Sequence, residues 1–251
     1  MLTRRGLLVS GVAVAGVYGG GTLVRRAIEP RLTFEAMPGL PGFRRLVTRE
    51  VSAGRSLALL DVSDESAGMP GPALDCVALF GSEPSEDAVP LAYFSDARCI
   101  FCRMLSPILK EIEAEGGADV TWHELPLLGA VSRVAARASV AAGLQGAYAA
   151  FHARLMGTPF LPTDAYLRQL AVDQGIDGNR LLQDMNATQV AQRLDQSARL
   201  ARQLGFYGTP GLVIGRTVIL GNLTKRQLHR ILVLERAESE PVPCWGTTAS
   251  D

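Results

Sequence analysis

The chain has no charge excess of either sign, with 25 Lys and Arg against 25 Asp and Glu. Without a basic surplus nothing draws in a phosphate backbone, and without an acidic run there is no solvating tail, so nucleic acid is not expected as a partner. Histidine is scarce: His123, His152 and His229 are the only three, and none lies in a paired motif of the kind that holds zinc. Internal repeats and low-complexity tracts are lacking, which excludes repeat architectures. Cysteine is limited to Cys76, Cys99, Cys102 and Cys244. What the chain does have is apolar material, 47% of its residues, enough for the core of one ordinary domain with additions.

An uncharged apolar run covers residues 6–24, flanked by Arg4-Arg5 and Arg25-Arg26. Its length is about that of a membrane helix, and its positive flank also fits an export signal. No A-x-A-like cleavage site follows it, so the reading is an uncleaved anchor, with a cleaved signal as the alternative. Thr3-Arg4-Arg5-Gly6-Leu7-Leu8 looks like a twin-arginine export signal. Arginines on both sides leave the orientation undecided. Export to an oxidising compartment favours disulfides among an even number of cysteines.

The expected organisation is a signal or anchor over residues 1–26, a linker with short strands over 27–75, a folded domain over 76–238 and a loose polar tail over 239–251. Short strands are expected near residues 56–62, and Cys76-Val77-Ala78-Leu79-Phe80 reads as a strand bounded by turn residues. Val89-Pro90-Leu91-Ala92-Tyr93-Phe94 reads as a buried strand with its proline near the start. Met104, Ile108 and Ile112 recur at helical spacing after Cys99, with Pro107 inside that helix. Val120-Thr121-Trp122 is the next strand. Residues 129–205 are rich in helix formers, broken near 143–146, 158–159 and 175–178. One apolar stripe runs through Leu181, Met185, Val190, Leu194, Ala198 and Ala201, and so predicts a single last helix that includes Asn186. Residues 212–220 form a hairpin with a Gly215-Arg216 turn, and Thr224 with Gln227 opens a final helix as a capping box. Strand, helix, strand, a block of helices, hairpin and helix make a small mixed sheet with an all-helical insertion.

Cys99-Ile100-Phe101-Cys102 lies where the first strong strand gives way to the first long helix. Unpaired N–H groups and the helix dipole favour negative charge there, so the Cys99 thiol should ionise readily, with Arg98 and Arg103 adding to the effect. Cys102, one turn in, should be shielded. An exposed Cys99 would then exchange with a substrate and Cys102 would resolve. A zinc half-site needs two further ligands at suitable spacing, which the isolated Cys76 and Cys244 do not offer, so no metal is expected.

The run from Cys99 through Pro107 to Leu109 closely resembles the active-site helix of thioredoxin. Phe94-Ser95-Asp96 before it, the helical block with Leu125-Pro126-Leu127-Leu128-Gly129 and Phe151-His152, and Gly208-Thr209-Pro210-Gly211 before the hairpin together resemble the DsbA-like thiol–disulfide oxidoreductases of bacteria, over residues 89–235. The resemblance implies a thioredoxin fold, α/β with a helical insertion, and catalytic Cys99 and Cys102 without a cofactor. It also implies that Pro210 is cis beside the Cys99 sulfur, with the Thr209 backbone pairing to an extended substrate strand. Three residues depart from the family's habit. Ile100-Phe101 replaces the usual Pro-His, which points to a weaker oxidant. Tyr93 stands where relatives commonly have a buried acid, so proton transfer at Cys102 needs another group or water. Thr209 is common in isomerases and reductases of the wider family.

With Cys99 and Cys102 paired, Cys76 and Cys244 are left either to form a structural disulfide across a long loop or to stay free thiols. His152 is expected to be a packing or polar surface residue rather than a catalytic one. Taken together, the expectation is a periplasmic oxidoreductase tethered by residues 6–24. Its partners would be exported proteins bearing thiols or disulfides, and a membrane redox partner. An oxidase is the first reading. A reductase or isomerase is the second, and a redox-silent peptide-binding or chaperone module the third.

Overall fold

The computed structural model describes residues 32–47, 74–85, 88–157, 161–238 and 240–245. The expected anchor at residues 6–24 and the strands expected near 56–62 lie outside the described residues. Among the described residues, no helix is long and apolar enough to cross a membrane.

The fold is built on strand β3, Val89–Ser95, whose seven residues are all buried. A continuous apolar run of this kind belongs in the middle of a sheet covered on both faces. β3 pairs in parallel with β4 (Ala118–Glu124) and antiparallel with β5 (Gly211–Ile214). β5 turns through Gly215 into β6 (Thr217–Leu220). Two three-residue strands, β1 (Phe34–Ala36) and β2 (Arg44–Leu46), complete a six-stranded sheet ordered β1-β2-β6-β5-β3-β4. Residues 34–36 and 44–46, in the stretch expected as a linker with short strands, are therefore strands of this sheet. The local reason is Arg44, which donates to Thr217 and forms ion pairs with Glu235 and Glu238, fastening β2 beside β6.

Cys76–Phe80, expected as a strand, is a short helix, α1. The Asp75 carboxylate caps it by accepting the Ala78 N–H at 2.9 Å, and a five-residue apolar run cannot be assigned by periodicity alone. Side chains of β4 satisfy carbonyls at its end: Thr121 donates to Phe80 O at 2.6 Å, and His123 Nε2 lies 2.9 Å from Leu79 O. Burial lowers the His123 pKa to about 4, which keeps this ring neutral where it stacks on Phe94.

Helix α2 spans Ile100–Ala114 and contains Pro107. Five helices, α3 (Ala130–Gly143), α4 (Tyr148–Gly157), α5 (Asp164–Asp173), α6 (Gly178–Asp184) and α7 (Thr188–Gln203), are inserted between β4 and β5. They bury a core of their own around Phe151, Leu155, Leu167 and Leu181, with Ala135, Ala138, Ala141 and Ala142 of α3 allowing close approach. The single helix expected across residues 181–201 is two, separated by a turn in which Asn186 N–H donates to Gln183 O and Ala187 N–H to Asp184 O. No glycine or proline marks that break, yet the helices end at Asp184 and resume at Thr188, which leaves Asn186 outside both. The last helix, α8 (Lys225–Arg236), opens with the Thr224–Gln227 capping box.

A second core gathers Phe43, Leu79, Phe80, Phe94, Leu204 and Phe206. Val242, Cys244 and Trp245 pack against it, so this stretch of the tail is held and not loose. The structure joins Cys76 to Cys244 by a disulfide across 168 residues. Closing so long a loop restricts the unfolded chain. Replacing both cysteines by serine should lower the unfolding free energy by about 2–4 kcal/mol, read by denaturant titration against the oxidised wild type. Unchanged stability would show that the covalent link contributes nothing.

Candidate active site

Cys99 is held by the turn before it. The buried Asp96 carboxylate accepts from Arg98 N–H (2.8 Å), Leu128 N–H (2.9 Å) and the Ser132 hydroxyl (2.7 Å), and the Asp96 carbonyl accepts the Cys99 N–H at 2.9 Å. One carboxylate thus ties the end of β3 to the loop after β4 and to the start of α3. Cys99 then takes the N-cap position of α2 with extended backbone angles, and its sulfur accepts the Cys102 N–H at 3.3 Å. The sulfur does what the oxygen of a Ser or Asp cap does.

The antiparallel pairing of Phe94 with Gly211 delivers the other half of the site. The Thr209–Pro210 peptide bond is cis, as the family resemblance implied, and both residues are buried. Gly211 permits this approach, because a Cβ there would stand 2.7 Å from the Phe206 ring. The Cys99 thiol donates to the Thr209 carbonyl at 3.3 Å. The expected exposed thiol is therefore covered: Cys99 retains 4% exposure and Cys102 none. The Thr209–Pro210 loop lies over the sulfur that the helix start presents.

The electrostatics of the two thiols differ sharply. Cys99 is lowered to about 6, first by a hydrogen bond from the Cys102 thiol, then by the Thr209 side chain and the N–H groups of Cys102 and Phe101, against burial, which raises it. Cys102 is pushed far above the ordinary thiol range, first by burial, then by its hydrogen bond to Cys99 and the charge there. Arg98 is exposed, and the Arg103 side chain donates to Ala97 O (2.8 Å) and Leu155 O (3.0 Å), linking α2 to α4.

Beneath Cys102 lies Tyr93, fully buried. Its hydroxyl donates to the Cys102 carbonyl at 3.1 Å and lies 3.3 Å from Ser106 Oγ, which itself donates to the same carbonyl at 2.8 Å. The Tyr93 ring packs edge-on to Trp122, and Trp122 packs against His152. His152 is buried, with Nδ1 2.8 Å from Glu124 Oε1, and Tyr148 donates to the same oxygen at 3.1 Å. Sequence reading missed the Glu124–His152 pair, since 28 residues separate its members and no motif spans them. It also missed the bracing role of Asp96. Among the described residues, no three His, Cys, Asp or Glu side chains converge to hold a metal ion.

A cysteine capping a helix, a shielded second cysteine one turn in and a cis-proline loop over both define a thioredoxin-fold dithiol site. Residues 91–233 match the DSBA-like thioredoxin domain family, and the chain belongs to that family. Among solved structures, a thioredoxin-like oxidoreductase from Silicibacter pomeroyi DSS-3 is 30% identical, with a TM-score of 0.60 over 66% of this chain and 99% of its own. The catalytic domain of Proteus mirabilis ScsC is 26% identical, with a TM-score of 0.57 over 64% of this chain and 94% of its own. The thiol-disulfide exchange protein alpha-DsbA2 from Wolbachia pipientis shares the fold at 23% identity, with a TM-score of 0.58 over 63% of this chain and 90% of its own. No curated protein sequence matches the chain.

The two thiols should separate by reactivity. In the reduced protein, alkylation at Cys99 should rise through a midpoint of about pH 6 and level off above it, because the thiolate is the reacting form. Below that midpoint the rate should fall about tenfold per pH unit. Cys102 should stay unmodified throughout. Peptide mass mapping of samples quenched across the pH range reads both.

Proposed function

We propose that the protein is a thiol–disulfide oxidoreductase acting on exported proteins, with Cys99 as the exchanging sulfur, Cys102 as its resolving partner and Thr209–Pro210 as the substrate-binding edge. The observation that carries the reading is the Cys99 sulfur itself, capping α2, accepting from Cys102 and lowered to about 6. A thiolate stabilised in this way favours the reduced form of the pair, and a pair that prefers to be reduced is an oxidant toward substrates.

The preferred direction is oxidation. A substrate thiolate attacks Cys99 in the Cys99–Cys102 disulfide, forming a mixed disulfide and releasing Cys102, which takes up a proton. A second substrate thiolate attacks the substrate sulfur of that mixed disulfide and releases Cys99 as a thiolate. The substrate gains one disulfide and the pair ends as a dithiol. A membrane redox partner would accept those two electrons and restore the disulfide.

Segments that meet at the Cys99 turn carry exposed apolar side chains: Ile100 and Met104 on α2, Leu127 and Leu128 in the loop pinned by Asp96, and Tyr207 before the cis-proline. Exposed apolar side chains around a reactive sulfur suit unfolded chains with accessible cysteines. The Cys76–Cys244 disulfide supports an oxidising compartment. The sequence of residues 6–24 supports a periplasmic location with tethering to the inner membrane.

The firm binding of the Cys102 proton favours a second reading, a reductase or isomerase, in which the Cys99 thiolate attacks substrate disulfides. Equilibration with glutathione distinguishes the two. A reduction potential between about −180 and −120 mV supports the oxidase, and a value near −270 mV the reductase. Cys99→Ser should abolish oxidation of a reduced, unfolded substrate. No exchange with glutathione, together with binding of unfolded chains that survives Cys99→Ser, would leave only a redox-silent binding module.

A further inference from the structure

The fold buries Asp96 almost completely, at 1% exposure, and a carboxylate taken out of water must find donors. Its two oxygens find them on different elements. Oδ1 accepts the Arg98 N–H at 2.8 Å and the Ser132 hydroxyl at 2.7 Å, and Oδ2 accepts the Leu128 N–H at 2.9 Å. The Arg98 bond is an Asx-turn inside the four-residue turn that the Asp96 carbonyl closes on the Cys99 N–H. The Ser132 bond reaches the first turn of α3, which begins at Gly129 with no capping side chain and no acidic residue of its own. The Asp96 carboxylate supplies the negative charge which that helix end favours.

The Oδ2 bond shapes the surface. β4 stays beside β3 as far as Leu125, whose N–H donates to Ser95 O at 2.8 Å. The chain then turns, with Leu127 N–H on Leu125 O at 2.9 Å, and Leu128 comes back onto Asp96. Among the described residues, the Leu128 N–H is the hydrogen bond that ties residues 126–129 to the Cys99 turn. The side chains of this anchored loop point the other way: Leu127 is 48% exposed and Leu128 44%. Two adjacent leucines are thus left in water on a backbone fixed by a buried carboxylate. The same residue, Asp96, holds the Cys99 N–H, so the loop and the sulfur share one support.

Resting on the oxidoreductase reading, we propose that Asp96 is a positioning residue for substrate binding. Through Oδ2 it holds Leu127 and Leu128 as an apolar wall of the site, and the occupant of that wall is the stretch of unfolded polypeptide next to the exchanging cysteine. Substrates with apolar side chains beside that cysteine are taken in preference, because the wall removes those side chains from water. Glutathione, which has no apolar side chain, gains nothing there. The carboxylate acts through the loop: a wall already ordered before the substrate arrives costs less to bind than one ordered on binding.

The test uses the full chain in its oxidised form and three thiols: a short unstructured peptide with leucines on both sides of one cysteine, the same peptide with serines in their place, and glutathione. The readout is the ratio of the second-order rate constants for the leucine and serine peptides, which a merely structural role of Asp96 would leave alone. In the wild type the leucine peptide should react about tenfold faster, the worth of burying part of one or two leucine side chains. Replacing Leu127→Ser and Leu128→Ser together should bring the ratio close to one. Replacing Leu128 by its α-hydroxy acid keeps every side chain and removes only the N–H that Asp96 accepts, and should cut the ratio to about a third. Equal rates for the two peptides in the wild type overturn the proposal, as does a ratio that survives the double serine change. A ratio that the ester leaves at the wild-type value, whether or not the rates themselves fall, overturns the part given to Asp96. Wild-type protein that exchanges with none of the three thiols overturns the oxidoreductase reading itself, and this proposal with it.

Discussion

The site depends on the Cys99 sulfur capping the first turn of a helix, where it accepts the Cys102 N–H at 3.3 Å. The closeness of the two thiols lowers that of Cys99 and helps burial raise that of Cys102. Neither effect survives if Cys99 leaves the N-cap position. That position is set by Asp96, which gathers donors from its own turn, from the loop after β4 and from α3. The scaffold's other contribution is the sheet register that brings Gly211 opposite Phe94, and with it the Thr209–Pro210 loop over the sulfur. The lowered Cys99 thiol is a product of placement at the helix start, among the N–H groups of Phe101 and Cys102 and beside Thr209.

The division between legible and hidden features follows from how local each one is. The Cys99-Ile100-Phe101-Cys102 run after a buried strand and before a helical pattern carries its own structural context, so its place at a helix start could be read directly. The capping box at Thr224 and the hairpin through Gly215 are equally local, and both are present. The α1 segment failed because a five-residue apolar run has no period to read, and Asp75, not hydrophobicity, decided its conformation. The break at Asn186 failed because an apolar stripe continues across it, and α6 and α7 pack separately against α3 with no glycine between them. β1 and β2 were hidden because their pairing rests on Arg44 reaching residues more than 170 positions away.

The site shows the same pattern. Its sulfurs were visible, whereas the cover over them was not: the Thr209 carbonyl that buries Cys99 lies 110 residues downstream. Tyr93 could be noticed as a substitution, but its contacts required the structure, which shows two hydroxyls converging on the Cys102 carbonyl and the Tyr93 ring packed edge-on to Trp122. The resulting centre is asymmetric. One thiol is ready to react near neutrality, and the other is sealed in a neutral pocket where its proton is tightly bound.

The most direct measurement is a residue-resolved titration of the reduced protein by carbon NMR with both cysteines labelled at Cβ. The account predicts a single transition near neutrality, at Cys99 with a midpoint of about 6, and no ionisation of Cys102 across the range in which the protein stays folded. A Cys99 midpoint near the free-thiol value of about 8.5, or a Cys102 transition at or below that of Cys99, would contradict it.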